Sequence, residues 1–368
     1  MELDRVPLDP RAPVAELARE LIDISSVSGD ELAIADAVEA ALRNATHLEV
    51  LRNGNAVIAR TTLGRERRVI LAGHLDTVPI KGNVPARWSD DGDELVGRGS
   101  VDMKAGVAVM LSLAVELVAP VHDVTWVFYD LEEVEETRNG LGRLMRDHPE
   151  LLQGDLAILG EPTSGTIEGG CNGTLRAEVR VPGLAAHSAR SWKGINAIHA
   201  AGPILAVLAA HEGETFSVDG LDYREGMNAV GIRGGIAGNV IPDECVVTIN
   251  YRFAPLFSPE DARARLEAVI AGAGLAKWSI EYTDMAPGAR PGLDAHLAQS
   301  FAIAVEHAGG GAARAKLGWT DVARFSAMGI PALNFGPGDP ELAHADDERC
   351  AVVEIDQCRA ALAAWLMQ

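Results

Sequence analysis

Apolar residues recur at helical spacing over Val14–Ile24 and again over Glu31–Leu42, which predicts two amphipathic helices early in the chain. Arg68–Ala72 (RVILA) is short and almost wholly apolar and reads as a buried strand. Val124–Tyr129 (VTWVFY) and Asp155–Leu159 (DLAIL) have the same character. Between the first two strands, Lys104–Val118 is apolar on every side, as a buried helix is, with Gly106 near its start. Short apolar strands separated by helices imply an α/β fold: a mixed, largely parallel sheet with helices on both faces.

The pattern changes near residue 172. Thr174–Val181 (TLRAEVRV) alternates polar and apolar, as a strand with one wet face does. A helix is expected at Asn196–Ala210, strands at Asn228–Ile236 and Val240–Phe253, a helix at Pro259–Ala271 and a strand at Trp278–Thr283. That β-α-β-β-α-β order is the split βαβ pattern of a small α+β unit. From Gly292 the α/β pattern resumes, with a helix at Leu293–His307, strands at Ala313–Leu317 and Ala332–Phe335, and a helix at Ile355–Leu366. Residues 173–286 therefore read as a domain inserted into a larger one made of 1–172 and 287–368.

A chain of 368 residues, 48% of them hydrophobic, is long enough for two packed cores. The formal charge of −21 makes phosphate backbones poor partners, so nucleic acid is not expected. No apolar run approaches the roughly 20 residues a membrane helix needs. The opening MELDRVPLDPRAP has no basic stretch followed by an apolar one, and no signal peptide is expected. Cys171, Cys245, Cys350 and Cys358 form no C-x-x-C pair and read as free thiols. The expectation is a cytoplasmic enzyme or binding protein for a small molecule.

Five segments carry candidate chemistry. In Gly73-His74-Leu75-Asp76, His74 and Asp76 sit two apart at a strand end and can face one crevice at the carboxyl edge of the sheet. In Gly97-Arg98-Gly99-Ser100-Val101-Asp102, Asp102 precedes the long apolar helix and reads either as its N-cap or as a ligand. In Asp130-Leu131-Glu132-Glu133-Val134-Glu135-Glu136, acidic residues crowd the end of a buried strand, where like charges repel unless solvent or cations compensate. Glu161 in Gly160-Glu161-Pro162-Thr163 also follows an apolar strand, and His344 lies in a late loop. Each alone has an ordinary reading as a cap, a solvated charge run or a surface histidine. Together they offer two histidines and several carboxylates with no cysteine, a donor set that suits zinc, or cobalt or manganese.

GHLDTVP, GRGSVDMKAG, the Glu132-Glu133 pair, GEPT and the late His344 resemble the motif series of the M20 family of metallopeptidases and deacylases, in that family's order and across nearly the whole chain. The resemblance implies two Zn2+ ions per chain, for which Co2+ or Mn2+ can substitute. Asp102 would bridge them. His74 and Glu161 would complete one metal, and Glu133 and His344 the other. Asp76 would orient His74, and Glu132 would be the general base. The family usually has Asp-Glu-Glu where this chain has Leu131-Glu132-Glu133, and Glu135-Glu136 follows two residues on. The first pair is preferred because it lies nearer the strand end, but the register stays open.

The runs GEPTSGTIEGGCNGTLRAEV and AHSARSWKGINAIH resemble the desuccinylase branch of the family, in its actinobacterial form. The implied reaction is hydrolysis of N-succinyl-LL-2,6-diaminopimelate to succinate and LL-diaminopimelate. His187, Arg190, Asn239, Arg252, Gly318 and Thr320 are the implied substrate contacts. A guanidinium such as Arg252 suits the distal carboxylate of a succinyl group; its other reading is a surface arginine on a strand. The resemblance also implies a homodimer through the inserted domain, with His187 acting in cis or in trans. The rival readings are another deacylase of the family (acetylornithine deacetylase or aminoacylase), a carboxypeptidase or dipeptidase, and a non-catalytic binding protein.

Overall fold

The computed structural model describes residues 8–368; residues 1–7, with part of the segment on which the signal-peptide expectation rests, lie outside them. The described residues up to Gly169, with Pro291–Arg314 and Arg324–Gln368, form one compact unit, and Gly170–Arg290 with Ala315–Ala323 form another.

The larger unit is built on an eight-stranded sheet. At its centre Arg68–His74 lies between Asp123–Tyr129 and Leu156–Leu159, parallel to both, and Ala332–Asn334 extends the parallel run beyond Leu156–Leu159. Val69, Leu71, Trp126, Phe128 and Ile158 join the main apolar core. The alternating residues Ile70, Ala72, Val127 and Leu159 are fully buried as well, so both faces of the central strands are covered. The helix Lys104–Glu116 is buried at every position from Lys104 to Val115, as its unbroken apolar sequence demands. It packs against Val14–Asp23 and Val352–Met367.

Among the elements not read from the pattern are a hairpin and a small sheet of this unit, the helices Gly140–Asp147 and Val322–Ala327, and the hairpin Thr215–Val218/Leu221–Arg224 of the smaller unit. The hairpin Glu49–Asn53/Ala56–Arg60 forms an antiparallel edge, turning through Gly54 at φ +60°. The Gly54-Asn55 pair at its turn is a hairpin signal that the sequence carries. A small sheet of Arg87–Trp88, Glu94–Val96 and Arg349–Ala351 joins segments about 250 residues apart, which no local pattern reveals.

The smaller unit is a four-stranded antiparallel sheet in the order Gly226–Gly234, Glu244–Phe253, Gly173–Pro182, Ser279–Ala286. Helices Ala197–Ala209 and Pro259–Ala271 pack on one face of it. The strand expected over Val240–Phe253 is interrupted. Pro242 has no N–H to give a ladder, and Val240–Ile241 pairs instead with Ala186–His187. A second correction concerns residues 315–323, which had been assigned to the larger domain. They pack within the smaller unit: the Asn172 N–H donates to Lys316 O, the Trp319 indole N–H to Pro287 O, and the Cys171 thiol lies 3.8 Å from Thr320 O.

Candidate metal centre

Strand order assembles the centre. Asp123–Tyr129, Arg68–His74, Leu156–Leu159 and Ala332–Asn334 lie side by side in parallel, so their carboxyl ends open on one edge of the sheet. His74 closes the second strand, and the Glu132-Glu133 loop follows the first. Glu161 follows the third, where Gly160 N–H donates to Ala72 O. The helix carrying Asp102 at its entrance crosses against this edge. A Cβ on Gly106 would lie 2.1 Å from Gly160 O, so backbone meets backbone there only because residue 106 is glycine, while a Cβ on Gly73 would meet the Met103 methyl carbon at 2.6 Å.

Asp102 is the centre of the arrangement. Its Oδ1 lies 3.0 Å from His74 Nε2 and its Oδ2 lies 3.4 Å from His344 Nε2. The capping reading of Asp102 does not hold: the N-cap position belongs to Met103, without a side-chain cap bond, and both Asp102 oxygens face histidines. Glu133 Oε1 stands 2.9 Å from His344 Nε2. Ligand atoms of His74, Asp102 and Glu133 all lie within 4.8 Å of one another. Glu161 is buried just past the end of the next strand and lies outside this trio.

Asp76, fully buried, organises the loop opposite. Its Oδ1 accepts the Glu132 N–H and its Oδ2 accepts the Glu133 N–H and the Ser28 hydroxyl. His74 Nδ1 is 2.9 Å from Asp76 O and 3.6 Å from Asp76 Oδ1. Asp76 thus orients His74 and also holds the backbone of both glutamates, a second task that sequence reasoning missed. Leu131 turns the chain at φ +60°, and His344 sits at φ +65°. Both are costly conformations for residues with a Cβ, held by the surrounding structure. Of the two glutamate pairs left open by the sequence, the first reaches the centre. Glu135 is exposed and pairs with Arg138, and Glu136 pairs with Arg324.

The charges explain one another. Burial pushes the Asp102 carboxyl up, but the hydrogen bonds from His344 and His74 hold it far below the usual carboxylate range. Burial pushes His74 down, and its bonds to Asp102 and Asp76 more than reverse that, so it ends well above an ordinary histidine. His344, bonded to Asp102 and Glu133, is pushed up to about 10. Two imidazoles made this basic by carboxylates mark a place that calls for cationic charge. Nitrogen and carboxylate oxygen donors without sulfur fit a hard or borderline divalent metal such as zinc.

The remaining candidates all belong to the smaller unit. His187 is exposed, with Nδ1 accepting the Ala189 N–H, and Ser188 N–H donates to Asn239 O, so His187 and Asn239 share one corner. Arg190 is exposed in the turn Ser188–Lys193. Gly318 is exposed and Thr320 buried in the loop of residues 315–323. Arg252 is half-buried, its Nε donating to Asn250 Oδ1. These residues do not form one cluster within the unit: Arg252 lies on the polar face of the sheet, and the His187 corner lies on a separate strand pair.

Sequence reasoning missed a neighbour of Arg252. Cross-strand register puts Asn228, Asn250, Arg176 and Asp284 in one row and Gly226, Arg252, Thr174 and Ala286 in the next. Arg176 is therefore the diagonal neighbour of Arg252 on the face opposite the two helices. The alternation of Thr174–Val181 contained the signal, since Arg176 falls on its wet positions.

The profile of Peptidase family M20/M25/M40 matches residues 70–368. A Mycobacterium tuberculosis protein carrying the name succinyl-diaminopimelate desuccinylase DapE is 54% identical over 349 residues, covering 95% of this chain and 96% of that one. The succinyl-diaminopimelate desuccinylase of Corynebacterium glutamicum is 47% identical over 362 residues, covering 96% and 95%. Among solved structures, a tripeptidase of Staphylococcus aureus superposes with a TM-score of 0.77 at 20% identity, over 98% of both chains, a likeness of fold.

Proposed function

The chain belongs to peptidase family M20/M25/M40, and from that membership we propose that it is a metal-dependent amidohydrolase removing the succinyl group from N-succinyl-LL-2,6-diaminopimelate. The observation that carries the chemistry is Asp102, with one carboxylate oxygen turned to each histidine. His74, Asp102, Glu133, Glu161 and His344 would hold the zinc, with Asp102 shared between the His74 and His344 sides of the centre. Zinc, when bound, supplies Lewis acidity that polarises an amide carbonyl and acidifies water. Glu132 acts as general base and then acid. Its backbone is fixed on Asp76 Oδ1, and its charge reaches His74. The Glu132 carboxylate accepts a proton from water and passes it to the leaving amine nitrogen.

The names of relatives 54% and 47% identical over almost the full length support the succinyl reading. So does the diagonal placing of Arg252 and Arg176 on one polar face, two cations suited to a substrate with three carboxylates. His187, Arg190, Asn239, Gly318 and Thr320 complete the proposed substrate contacts. Four free, buried thiols suit a reducing cytoplasm, and no helix among the described residues is long and apolar enough to cross a membrane.

The test is substrate competition. Succinyl-diaminopimelate should exceed acetylornithine in kcat/KM by about a hundredfold or more, and Arg252→Lys should remove most of that difference, because an ammonium cannot make the two-pronged contact. Faster turnover of acetylornithine by the native chain would assign it to another deacylase of the family.

A further inference from the structure

We infer that Arg98 and Glu348 form a buried clamp that positions Asp102 against His344 and so sets the affinity of the second metal position. The inference rests on the ligand reading above. Both side chains are almost wholly buried, at 2% and 1% exposure, and Arg98 Nη1 lies 2.7 Å from Glu348 Oε2. Glu348 Oε1 accepts three backbone N–H groups, from Gly99, Val101 and Asp102, at 3.0, 3.0 and 3.1 Å. Arg98 also donates to Ala345 O and Pro79 O.

Two loops are thereby joined. One carries Asp102; the other carries His344, next to Ala345. The join continues a ladder: Gly97 N–H donates to Glu348 O, and Arg349–Ala351 pairs with Glu94–Val96. Asp102 is held by its own N–H, and the chain beside His344 is held through the Ala345 carbonyl. The spacing between Asp102 Oδ2 and His344 Nε2 follows from these bonds. Because these bonds run from the Asp102 loop to the chain beside His344, the clamp acts most directly on the side of the centre that would hold Glu133 and His344. Glu348 is bonded to the backbone N–H of Asp102 and to Arg98, and acts on the ligands through them, so it is a positioning residue.

Glu348→Gln is nearly the same size but sets an amide NH2 group against the Arg98 guanidinium, donor against donor. Metal-free native protein and variant are titrated with Zn2+ by calorimetry and with Co2+ by visible absorption, without substrate. The native chain should take two ions. In the variant the weaker site should lose about tenfold or more in affinity, while the tighter one changes by less than about threefold. The cobalt spectrum should change only in the second equivalent. Equal weakening of both sites, or no weakening of either, in a variant with native circular dichroism overturns the clamp. Arg98→Lys is judged by the same criteria and carries the test if Glu348→Gln does not fold. A native chain that takes fewer than two ions refutes the ligand reading and the clamp with it, whereas two native sites with an unaffected variant refute the clamp alone.

Discussion

At the scale of single residues, the division of labour between Glu132 and Glu133 is the sharpest claim. They are neighbours whose N–H groups bind different oxygens of Asp76, and only Glu133 meets His344. Glu132→Gln should cut kcat by roughly three orders of magnitude with zinc content unchanged. Glu135→Gln should leave kcat within about twofold of native, because Glu135 is exposed and paired with Arg138. Reversal of those two results would shift the register by three residues. His344 supplies a pH prediction. Its folded pKa in the metal-free protein, about 10, is raised above the ordinary value of 6.5. Its ion pairs therefore stabilise the metal-free fold fully below pH 6.5, and that contribution fades as pH rises through about 10. A ligating imidazole must be neutral. Zinc binding should therefore release protons at pH 7.5 and tighten as pH rises towards 10. Calorimetry in two buffers of different ionisation enthalpy measures the release, and identical heats in both would contradict the protonated state of His344.

At the scale of elements, the centre depends on how closely the helix Lys104–Glu116 approaches the strand end at Gly160. The contact is glycine backbone on glycine backbone, and a methyl group at residue 106 has no room. Gly106→Ala should destabilise the larger unit by about 1–3 kcal/mol, although alanine is the better helix former. Metal affinity should fall with it, because Asp102 and Glu161 lie on the two elements pushed apart. Chemical denaturation and zinc titration of the same variant check both parts; a stabilised variant would show that the helix yields. Buried Lys104 belongs to the same junction. Its ammonium donates to Ile24 O, and burial pushes its pKa down to about 7.

At the scale of the whole molecule, the smaller unit leaves an unpaired sheet edge. Gly226–Gly234 is the outer strand of four and exposes Val230 and Ile232; Ile198 and Leu205 are exposed on the helix Ala197–Ala209 packed against this sheet. An apolar edge strand is a template for pairing with another chain. We propose that a second copy pairs here, giving the homodimer that the family resemblance implies. Val230→Lys with Ile232→Lys should yield a monomer by light scattering, with metal content retained. Activity of that monomer distinguishes the two roles of His187: a nearly inactive monomer places His187 in trans, an active one in cis. A variant that stays dimeric would move the interface elsewhere.

The chain's own pattern determined much of this protein. Apolar runs located the central strands and the buried helix, and the change to alternation located the inserted unit, because burial on two faces or one leaves a local signature. The residues of the candidate metal centre stood out in the sequence as types at strand ends. Other features were decided only by the tertiary structure. Glu133 or Glu136 as the partner of His344, Asp102 as a shared carboxylate in place of a helix cap, and Arg98 bonded to Glu348 all join residues far apart in sequence. So do Arg176 beside Arg252 and the loop of residues 315–323 packed with the smaller unit. The physical reason is common to all of them. Period and composition report how a residue meets solvent along its own element. Which side chains converge depends on strand order, register and close backbone approach, and these are fixed only when distant segments pack together.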